Sequence, residues 1–127
     1  MRIISFAWTT PALLAGRKTC TRRDWDAAYA SQFRPGDVVA AYDKSPRYGG
    51  KKVAEVAVVR APYQEPLAAM PDEDYEAEGF AFLYAQGIKP PKSSGFPSFS
   101  RLAFDAWRRS GGAVFVVRFR LLSTEGA

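Results

Sequence analysis

Residues 16–23 read Gly-Arg-Lys-Thr-Cys-Thr-Arg-Arg, and no other stretch of similar length holds as much polar chemistry. The segment combines four cations, two hydroxyl groups and the only cysteine of the chain. Gly16 is typical of the end of a helix. The residues that follow, 19–23, have the alternation that suits a short strand. We therefore predict that the chain presents this segment to a ligand.

The elements on both sides of this segment are predicted from apolar patterns and capping residues. Residues 3–8 are mostly apolar on both faces, which predicts a central strand that is covered on both sides. Pro11 suits the first turn of a short helix over residues 12–15. Asp24 is expected to cap a second helix over residues 25–32.

The remaining elements follow from the same signals. We predict strands over residues 38–42, 53–59 and 114–122, helices over residues 75–86 and 101–110, and loops over residues 61–66 and 89–97. The chain shows no repeat and no boundary, which predicts a single domain over residues 1–127. The expected class is α+β, with a small, mixed and largely antiparallel sheet that curls into a β-barrel between flanking helices.

The composition restricts the chemistry. The 127-residue chain has a net charge of +5 and a pI near 9.6, which favours RNA, DNA, nucleotides or an acidic membrane as partners. The chain has no histidine, which argues against zinc, copper and non-haem iron sites and excludes Ser-His-Asp and Cys-His catalysis. We expect neither a metal nor a cofactor.

The single cysteine cannot form an internal disulfide, which suits a reducing cytoplasm. Arg2 precedes an apolar run, but this run ends at Thr9, too early for the apolar region of a signal peptide. No apolar run is long enough to span a membrane. We expect a cytoplasmic protein without membrane association, and a monomer is favoured.

Three residues form the sharpest catalytic constellation, namely Lys18, Thr21 and Glu78. Burial and neighbouring cations favour the neutral, basic form of a lysine, and a base can activate a threonine hydroxyl as a nucleophile. Glu78 lies on an apolar helix stripe, so its carboxylate needs a cationic or hydrogen-bonding partner. For these residue types alone, a structural Lys18–Glu78 ion pair is the simpler interpretation. Cys20 fits a small buried residue better than a nucleophile.

Basic residues near predicted loops form a second candidate set. Nucleic-acid contacts are predicted for Arg17, Lys18, Arg22, Arg23, Arg47, Tyr48 and Lys51. The cations would contact phosphates, and Tyr48 would stack on a base. Phe96 is a further stacking candidate, whereas Trp8 is assigned to the core. The alternative is that the cations form a solvated face and the aromatic residues pack inside.

The spacing Gly16-x-Lys18-x-x-Thr21-x-Arg23, after an apolar strand and a short helix, resembles the motif of the ASCH domain, a branch of the PUA-like superfamily. The turn at residues 34–37 and the closing strand fit the same family, and the resemblance covers nearly the whole chain. It implies a small PUA-like β-barrel with flanking helices and a cleft lined by the motif. It also implies RNA-related functions, namely RNA binding and, in some members, RNA hydrolysis.

Thr21 stands where the ASCH pattern often has glutamate. In this respect the chain is similar to a bacterial subgroup that removes the acetyl group from acetylated cytidine. This similarity implies that Lys18 is the proton acceptor, Thr21 the nucleophile and Glu78 the proton donor. The chain is longer than the compact members of that subgroup. The additional residues, roughly 89–110, are expected to reshape or cover the cleft.

Three functions are compatible with these patterns. The first is recognition of RNA, a nucleoside or a nucleotide in a basic cleft built on residues 16–23. The alternative is a metal-free amidohydrolase that deacetylates acetylated cytidine with Lys18, Thr21 and Glu78. A further alternative is a ribonuclease that acts on single-stranded RNA.

Overall fold

The structure, a computed structural model, describes residues 1–125. Its strands are β1 (Arg2–Ser5), β2 (Cys20–Arg23), β3 (Val38–Tyr42), β4 (Lys52–Val58), β5 (Tyr63–Pro66) and β6 (Ala113–Thr124). Its α-helices are α1 (Thr10–Leu14), α2 (Ala27–Ala30), α3 (Asp74–Ala77), α4 (Phe80–Ala85) and α5 (Arg101–Arg108). Within these residues, no helix is both long enough and apolar enough to cross a lipid bilayer.

The strands form one curled sheet with the order β1-β3-β4-β6-β2, and β5 pairs with β6 beside this path. β1 is parallel to β3, and the other pairings are antiparallel. The sheet curves into a half-barrel, and the helices flank it. The predicted α+β class, a small and largely antiparallel barrel-like sheet with flanking helices, is therefore confirmed.

β6 organises the sheet, because it is 12 residues long and pairs with three other strands. Its C-terminal half pairs with β4, and its N-terminal half lies between β2 and β5. This register places Cys20 opposite Arg118 and Thr21 opposite Val117. Val116 and Val117, on opposite faces of β6, are both fully buried. The strand of the polar segment is thus held against the best-buried part of the sheet.

Two apolar clusters hold the sheet and the helices together. The first gathers Ile4, Phe6, Leu13, Phe33, Val39, Ala41, Ala54, Val56, Val58 and Phe119. The second gathers Ala12, Leu67, Met70, Phe80, Leu83, Phe99 and Phe104. α1 joins the clusters, because Leu13 belongs to the first and Ala12 to the second. The polar segment follows α1 directly and so begins where the two clusters meet.

The prediction of one helix over residues 75–86 is wrong in one respect, because this part of the chain forms two helices, α3 and α4, that meet at a sharp joint. Gly79 lies between α3 and α4 with a φ of +93°, a left-handed conformation that ends the first helix. A Cβ atom at Gly79 would lie 2.7 Å from Cβ of Ala12 and 3.3 Å from Cβ of Lys18. Periodicity could not reveal the joint, because the apolar pattern continues from one helix into the next.

The strand predicted over residues 3–8 is shorter in the structure than predicted, and it lies at an edge of the sheet and not at its centre. β1 ends at Ser5 and forms an edge of the sheet, where it pairs with β3 alone. Ala7 has a φ of +46°, and a 3-10 turn over Ala7–Thr9 replaces the end of the predicted strand. The residues after β1 are therefore free to turn toward the polar segment.

Two local predictions are also corrected. β5 occupies part of the loop predicted over residues 61–66, because the long β6 offers it a backbone to pair with. Asp26, and not Asp24, caps α2 by accepting a hydrogen bond from the N–H of Tyr29 at 2.7 Å. Neither the additional strand nor the different cap changes the class of the fold.

We expect Gly79→Ala to destabilise the protein by roughly 2–6 kcal/mol, because it adds left-handed strain to a steric clash. Urea-induced unfolding measures the loss. The matched control is Gly87→Ala, since Gly87 also has a positive φ (+71°) but a Cβ atom there would meet nothing within 4 Å. The control should cost only the strain, about 1–3 kcal/mol. Equal losses in the two variants would contradict the importance of the close approach at Gly79.

Candidate functional site

A pocket of about 260 Å³ lies between β2, the joint of α3 and α4, and the turn that follows β1. Its polar lining consists of Ser5, Thr9, Lys18, Thr21, Arg22, Arg23 and Glu78. Its apolar lining consists of Phe6, Ala7, Trp8, Phe80, Phe96 and Trp107. The three residues predicted to be catalytic therefore surround one cavity, although Glu78 is 60 positions from Lys18.

Lys18 is almost completely buried, with 1% of its surface exposed. Its backbone N–H donates a hydrogen bond to the backbone oxygen of Ala12 at 3.1 Å, which ties it to α1. Its Nζ donates to the backbone oxygen of Glu78 at 2.8 Å and to Oε1 of Glu78 at 3.2 Å. These partners are required, because an unpaired charge in a protein interior is strongly disfavoured.

Glu78 follows α3, and it is also buried. Its Oε1 accepts from Lys18, while its Oε2 accepts from Nη1 of Arg22 at 2.6 Å and from Sγ of Cys20 at 3.4 Å. The backbone N–H of Thr19 donates to a backbone oxygen of α3 at 2.8 Å, so the main chains are joined as well. The carboxylate is thereby held between two cations.

Arg22 extends this pair into a larger ionic network. Its Nη2 donates to Oε1 of Glu65 at 2.9 Å and also to Oδ2 of Asp74. Arg118 donates to both oxygens of Asp74, at 2.7 and 2.8 Å. Burial alone would raise the pKa of Asp74, but hydrogen bonds from Arg118 and Arg22 outweigh it and hold this pKa below its usual range. The network contains the cations Lys18, Arg22 and Arg118 and the carboxylates Glu65, Asp74 and Glu78, so its charges balance.

The environment of Arg22 differs from the sequence prediction that this residue contacts phosphate. Its side chain is 1% exposed, and its two terminal nitrogens are bonded to three carboxylates. Its Nε is buried without a hydrogen-bond partner. Burial opposes the charged form, but Glu78 and the other carboxylates raise the pKa of Arg22 above its ordinary value. The guanidinium is thus used inside the protein, where it holds the carboxylates in place.

Thr21 and Arg23 lie on the other face of β2. Nε of Arg23 donates to Oγ1 of Thr21 at 3.2 Å, and its Nη2 donates to the backbone oxygen of Ser5 at 2.6 Å. This last bond links β2 to β1, which are the two ends of the sheet order. The Thr21 hydroxyl acts as an acceptor in this arrangement, so its own proton remains available to a base or a ligand.

Aromatic residues form one side of the pocket. The ring of Trp107, from α5, stacks on Phe80 with centroids 5.8 Å apart. The ring of Phe96 lies 5.7 Å from Trp8 and 5.4 Å from Trp107. Phe96 and Trp107 both belong to residues 89–110, so the additional segment supplies part of the lining. Phe96 was predictable as a loop aromatic, whereas the spacing of Phe80 and Trp107 matches ordinary core residues.

The other residues predicted to bind nucleic acid do not line the pocket. Arg17 is half exposed and forms an ion pair with Glu76. Arg47, Tyr48 and Lys51 belong to the connection between β3 and β4, and Tyr48 is 71% exposed. The predicted set is therefore divided between the pocket and the outer surface of the protein.

Cys20 is fully buried, as its assignment to the interior predicted. Burial raises the pKa of its thiol well above the ordinary value, and the nearby Glu78 raises it further. The protonated thiol donates a hydrogen bond to Glu78. Cys20 is therefore a partner of the carboxylate and not a nucleophile.

Asp74→Asn should destabilise the protein by roughly 3–5 kcal/mol at neutral pH, because it removes a buried counter-charge from Arg22 and Arg118. The pKa of Asp74 is lowered in the folded protein. Its stabilising effect is therefore complete above the usual aspartate pKa of about 4 and is lost as the pH falls through the folded-state value. Urea unfolding at several pH values should show the difference between wild type and variant shrinking in acid.

Asp72→Asn is the matched control for this experiment. The side chain of Asp72 is 70% exposed, and its partners Arg101 and Arg108 lie at the surface. Solvent screens such pairs, so the control should change stability little. A loss in Asp74→Asn that stays constant from about pH 7 to about pH 3 would contradict the assigned charge pairing.

Comparison with known proteins identifies a similar fold but no family. No protein-family model matches the chain, and no curated protein matches it. Among solved structures, the chain is similar to the crystal structure of protein EF3133 from Enterococcus faecalis V583, a DUF984 protein, with a TM-score of 0.52 and 14% identity. The match covers 87% of this chain and 64% of that chain, so this chain spans less than two thirds of its length. At this identity the likeness concerns the fold alone.

Proposed function

We propose that the pocket binds the base of a nucleoside or a nucleotide. The observation that carries this proposal is the combination of an aromatic wall and a polar floor in one cavity of about 260 Å³. The wall offers faces on which a planar ring can stack, and the floor offers hydrogen-bonding groups for the edge of that ring. The resemblance of the polar segment to RNA-related ASCH domains supports the same ligand class.

The polar floor favours a base whose edge carries acceptors. Lys18 has three donors and uses two on Glu78, and the hydroxyl proton of Thr21 is uncommitted. Arg23 uses Nε and Nη2, and its Nη1 has no partner among residues 1–125. The carbonyl oxygens and unprotonated ring nitrogen of a pyrimidine edge match these donors.

Burial favours a single nucleoside over an RNA strand. Lys18, Thr21 and Glu78 are each at most 4% exposed, so only a group that enters the pocket can reach them. A polymer would have to insert one base, with its phosphates left outside. Because few phosphates can then be neutralised, the affinity should depend weakly on salt concentration, unlike that of a strand bound along a basic surface.

Titration with cytidine, uridine, adenosine and guanosine should quench the tryptophan fluorescence, because Trp8 and Trp107 line the pocket. Stacking on an aromatic ring contributes about 1–3 kcal/mol per base, so Trp107→Leu should weaken binding roughly 5- to 150-fold. The affinity should change less than about threefold between roughly 50 and 200 mM salt. Isothermal titration calorimetry provides an independent measurement of affinity.

Trp25→Phe is the matched control for the fluorescence experiment. Trp25 stacks on Phe33 at 4.7 Å and does not line the pocket, so this variant should retain both binding and quenching. Thermal unfolding checks that Trp107→Leu is folded. Absence of both heat and quenching for all four nucleosides would refute the proposal, and tight, salt-sensitive binding of single-stranded RNA alone would replace the nucleoside by a strand.

A second candidate function is hydrolysis of the amide of acetylated cytidine. The observation that favours it is that Lys18, Thr21 and Glu78 line the same pocket, with Nζ of Lys18 3.2 Å from Oε1 of Glu78. A base, a hydroxyl nucleophile and an acid around one cavity are the groups that amide cleavage without a metal requires. These are the roles that the resemblance to the acetylcytidine amidohydrolases implies for the three residues.

The hydrogen bond between Lys18 and Glu78 provides a route for the protons. Transfer of one proton from Nζ to the carboxylate gives a neutral amine and a neutral acid. The amine then accepts the proton of Thr21 as Oγ1 attacks the acetyl carbonyl, and Glu78 protonates the departing nitrogen as the C–N bond breaks. Cytidine leaves, and water hydrolyses the acetyl ester on Thr21. The Lys18–Glu78 pair carries the same charges before and after the acyl transfer.

Incubation with acetylated cytidine in the presence of a chelator should release cytidine, which chromatography detects. Thr21→Ala should reduce the rate roughly a thousandfold or more, because it removes the nucleophile. Thr19→Ala is the matched control, since the Thr19 side chain is exposed and only its backbone is hydrogen-bonded. Undiminished release by Thr21→Ala would exclude this function, and cleavage of single-stranded RNA in a parallel reaction would favour a ribonuclease.

A further inference from the structure

Arg23 is a cation of the pocket that has no counter-charge. The adjoining network of Lys18, Arg22, Arg118 and their three carboxylates is already balanced. Arg23 stands outside this network, because its hydrogen bonds go to two uncharged oxygens, Oγ1 of Thr21 and the backbone oxygen of Ser5. It forms no ion pair with any carboxylate of residues 1–125. The pocket therefore carries one positive charge in excess.

The excess charge is accessible from the cavity. Nη1 of Arg23 has no hydrogen-bond partner in the described part of the chain. In that same part, the buried side-chain polar atom left without a partner is Nε of Arg22, so Nη1 of Arg23 is not sealed in the interior. Arg23 lines the pocket, so a ligand in the pocket lies next to a side chain that has a free donor.

The surroundings of Arg23 oppose its charge. Burial lowers the pKa of Arg23, and the more distant Glu78 and Tyr29 only partly offset this effect. The neighbouring Arg22 shows the opposite, because its direct carboxylate partners raise its pKa. A partly buried guanidinium remains charged, so an anion placed against it would relieve an unfavourable electrostatic state.

We propose that Arg23 forms an anion subsite inside the pocket, which binds one carboxylate, or a similar singly charged oxygen group, of a ring-bearing ligand. The ring would lie against the aromatic wall of Trp8, Phe96 and Trp107, and the anionic oxygen would accept a hydrogen bond from Nη1. This inference adds an anion site to the proposed nucleobase pocket. The position of the ring rests on the proposed nucleobase binding, whereas the anion site at Arg23 does not.

The charge count favours a single negative charge over a phosphate. A phosphate monoester carries about 1.5 to 2 negative charges at neutral pH. The pocket offers one uncompensated positive charge, because Lys18 and Arg22 are neutralised by Glu78 and its neighbouring carboxylates. A carboxylate therefore matches the site in charge, and charge-assisted hydrogen bonds to it are stronger than those to a neutral oxygen.

The anion subsite is tested without any ring by thermal unfolding in sodium formate, with formamide as the neutral probe of the same size. At constant ionic strength, formate should raise the melting temperature of the wild type by roughly 3–6 °C near saturation, because it binds the folded state. Formamide should have no such effect. Arg23→Gln should abolish the formate effect, and Arg23→Lys should keep part of it because the charge is retained.

Arg17→Gln is the matched control, since Arg17 is an exposed arginine of the same segment that already has a carboxylate partner. This variant should show the full formate effect. Equal shifts with formate and formamide, or a formate effect that persists in Arg23→Gln, would overturn the anion subsite. The Arg23→Lys variant keeps the test valid if Arg23→Gln does not fold, because the absence of a formate effect in both the wild type and Arg23→Lys would also overturn the anion subsite.

A second measurement compares uracil with its 6-carboxylate, two rings that differ in one negative charge. The wild type should bind the carboxylate about tenfold more tightly than uracil or better, and Arg23→Gln should remove this preference, measured as the ratio of the two affinities. Binding of both rings with equal affinity would overturn the subsite and leave nucleobase binding standing. A formate effect without binding of either ring would overturn nucleobase binding and leave the subsite standing.

Discussion

A buried ion pair between Lys18 and Glu78 is the interaction on which the organisation of this molecule depends. The lysine follows α1 and the glutamate follows α3, so the pair joins parts of the chain that are 60 positions apart. Both side chains are almost completely buried, and each charge must therefore be satisfied by protein groups. The second carboxylate oxygen of Glu78 accepts a hydrogen bond from Nη1 of Arg22, whose Nη2 donates to Glu65 and Asp74. Each buried charge in this network therefore needs a neighbouring charge of the opposite sign.

The two faces of β2 carry side chains with different roles. Arg22 and Arg23 are adjacent residues of the same type, yet alternation places Arg22 within the ionic network and leaves Arg23 outside it. The first is enclosed by carboxylates, and the second touches only uncharged oxygens. A single short strand thus supplies both the structural support of the site and its available chemistry. Thr21 belongs to the second face, where Arg23 holds its oxygen.

Residues 89–110 shape the pocket as much as the polar segment does. Phe96 and Trp107 line the same cavity as Lys18, Thr21 and Arg23. A pocket of about 260 Å³ suits a ring that stacks, and it does not suit a strand that lies along a surface. This is the reason to favour a nucleoside-sized ligand over polymeric RNA, even though the chain is basic overall.

Local patterns in the sequence determined the elements that depend on near neighbours. β3 has the predicted bounds, α5 begins at the predicted residue 101, and α4 ends within one residue of the helix end predicted at residue 86. Such features involve residues at most a few positions apart, so periodicity and capping rules suffice. The α+β class followed from their order along the chain.

Only the tertiary structure decided what lies next to what. The joint at Gly79, the enclosure of Arg22, the edge position of β1 and the aromatic wall all result from contacts between distant segments. The sequence placed seven residues in one nucleic-acid-binding set, whereas packing put some in the pocket and others on the surface. The physical reason is that the residue type of a charged side chain does not reveal its surroundings. The chemistry of the side chain depends on its partners and on how much water surrounds it.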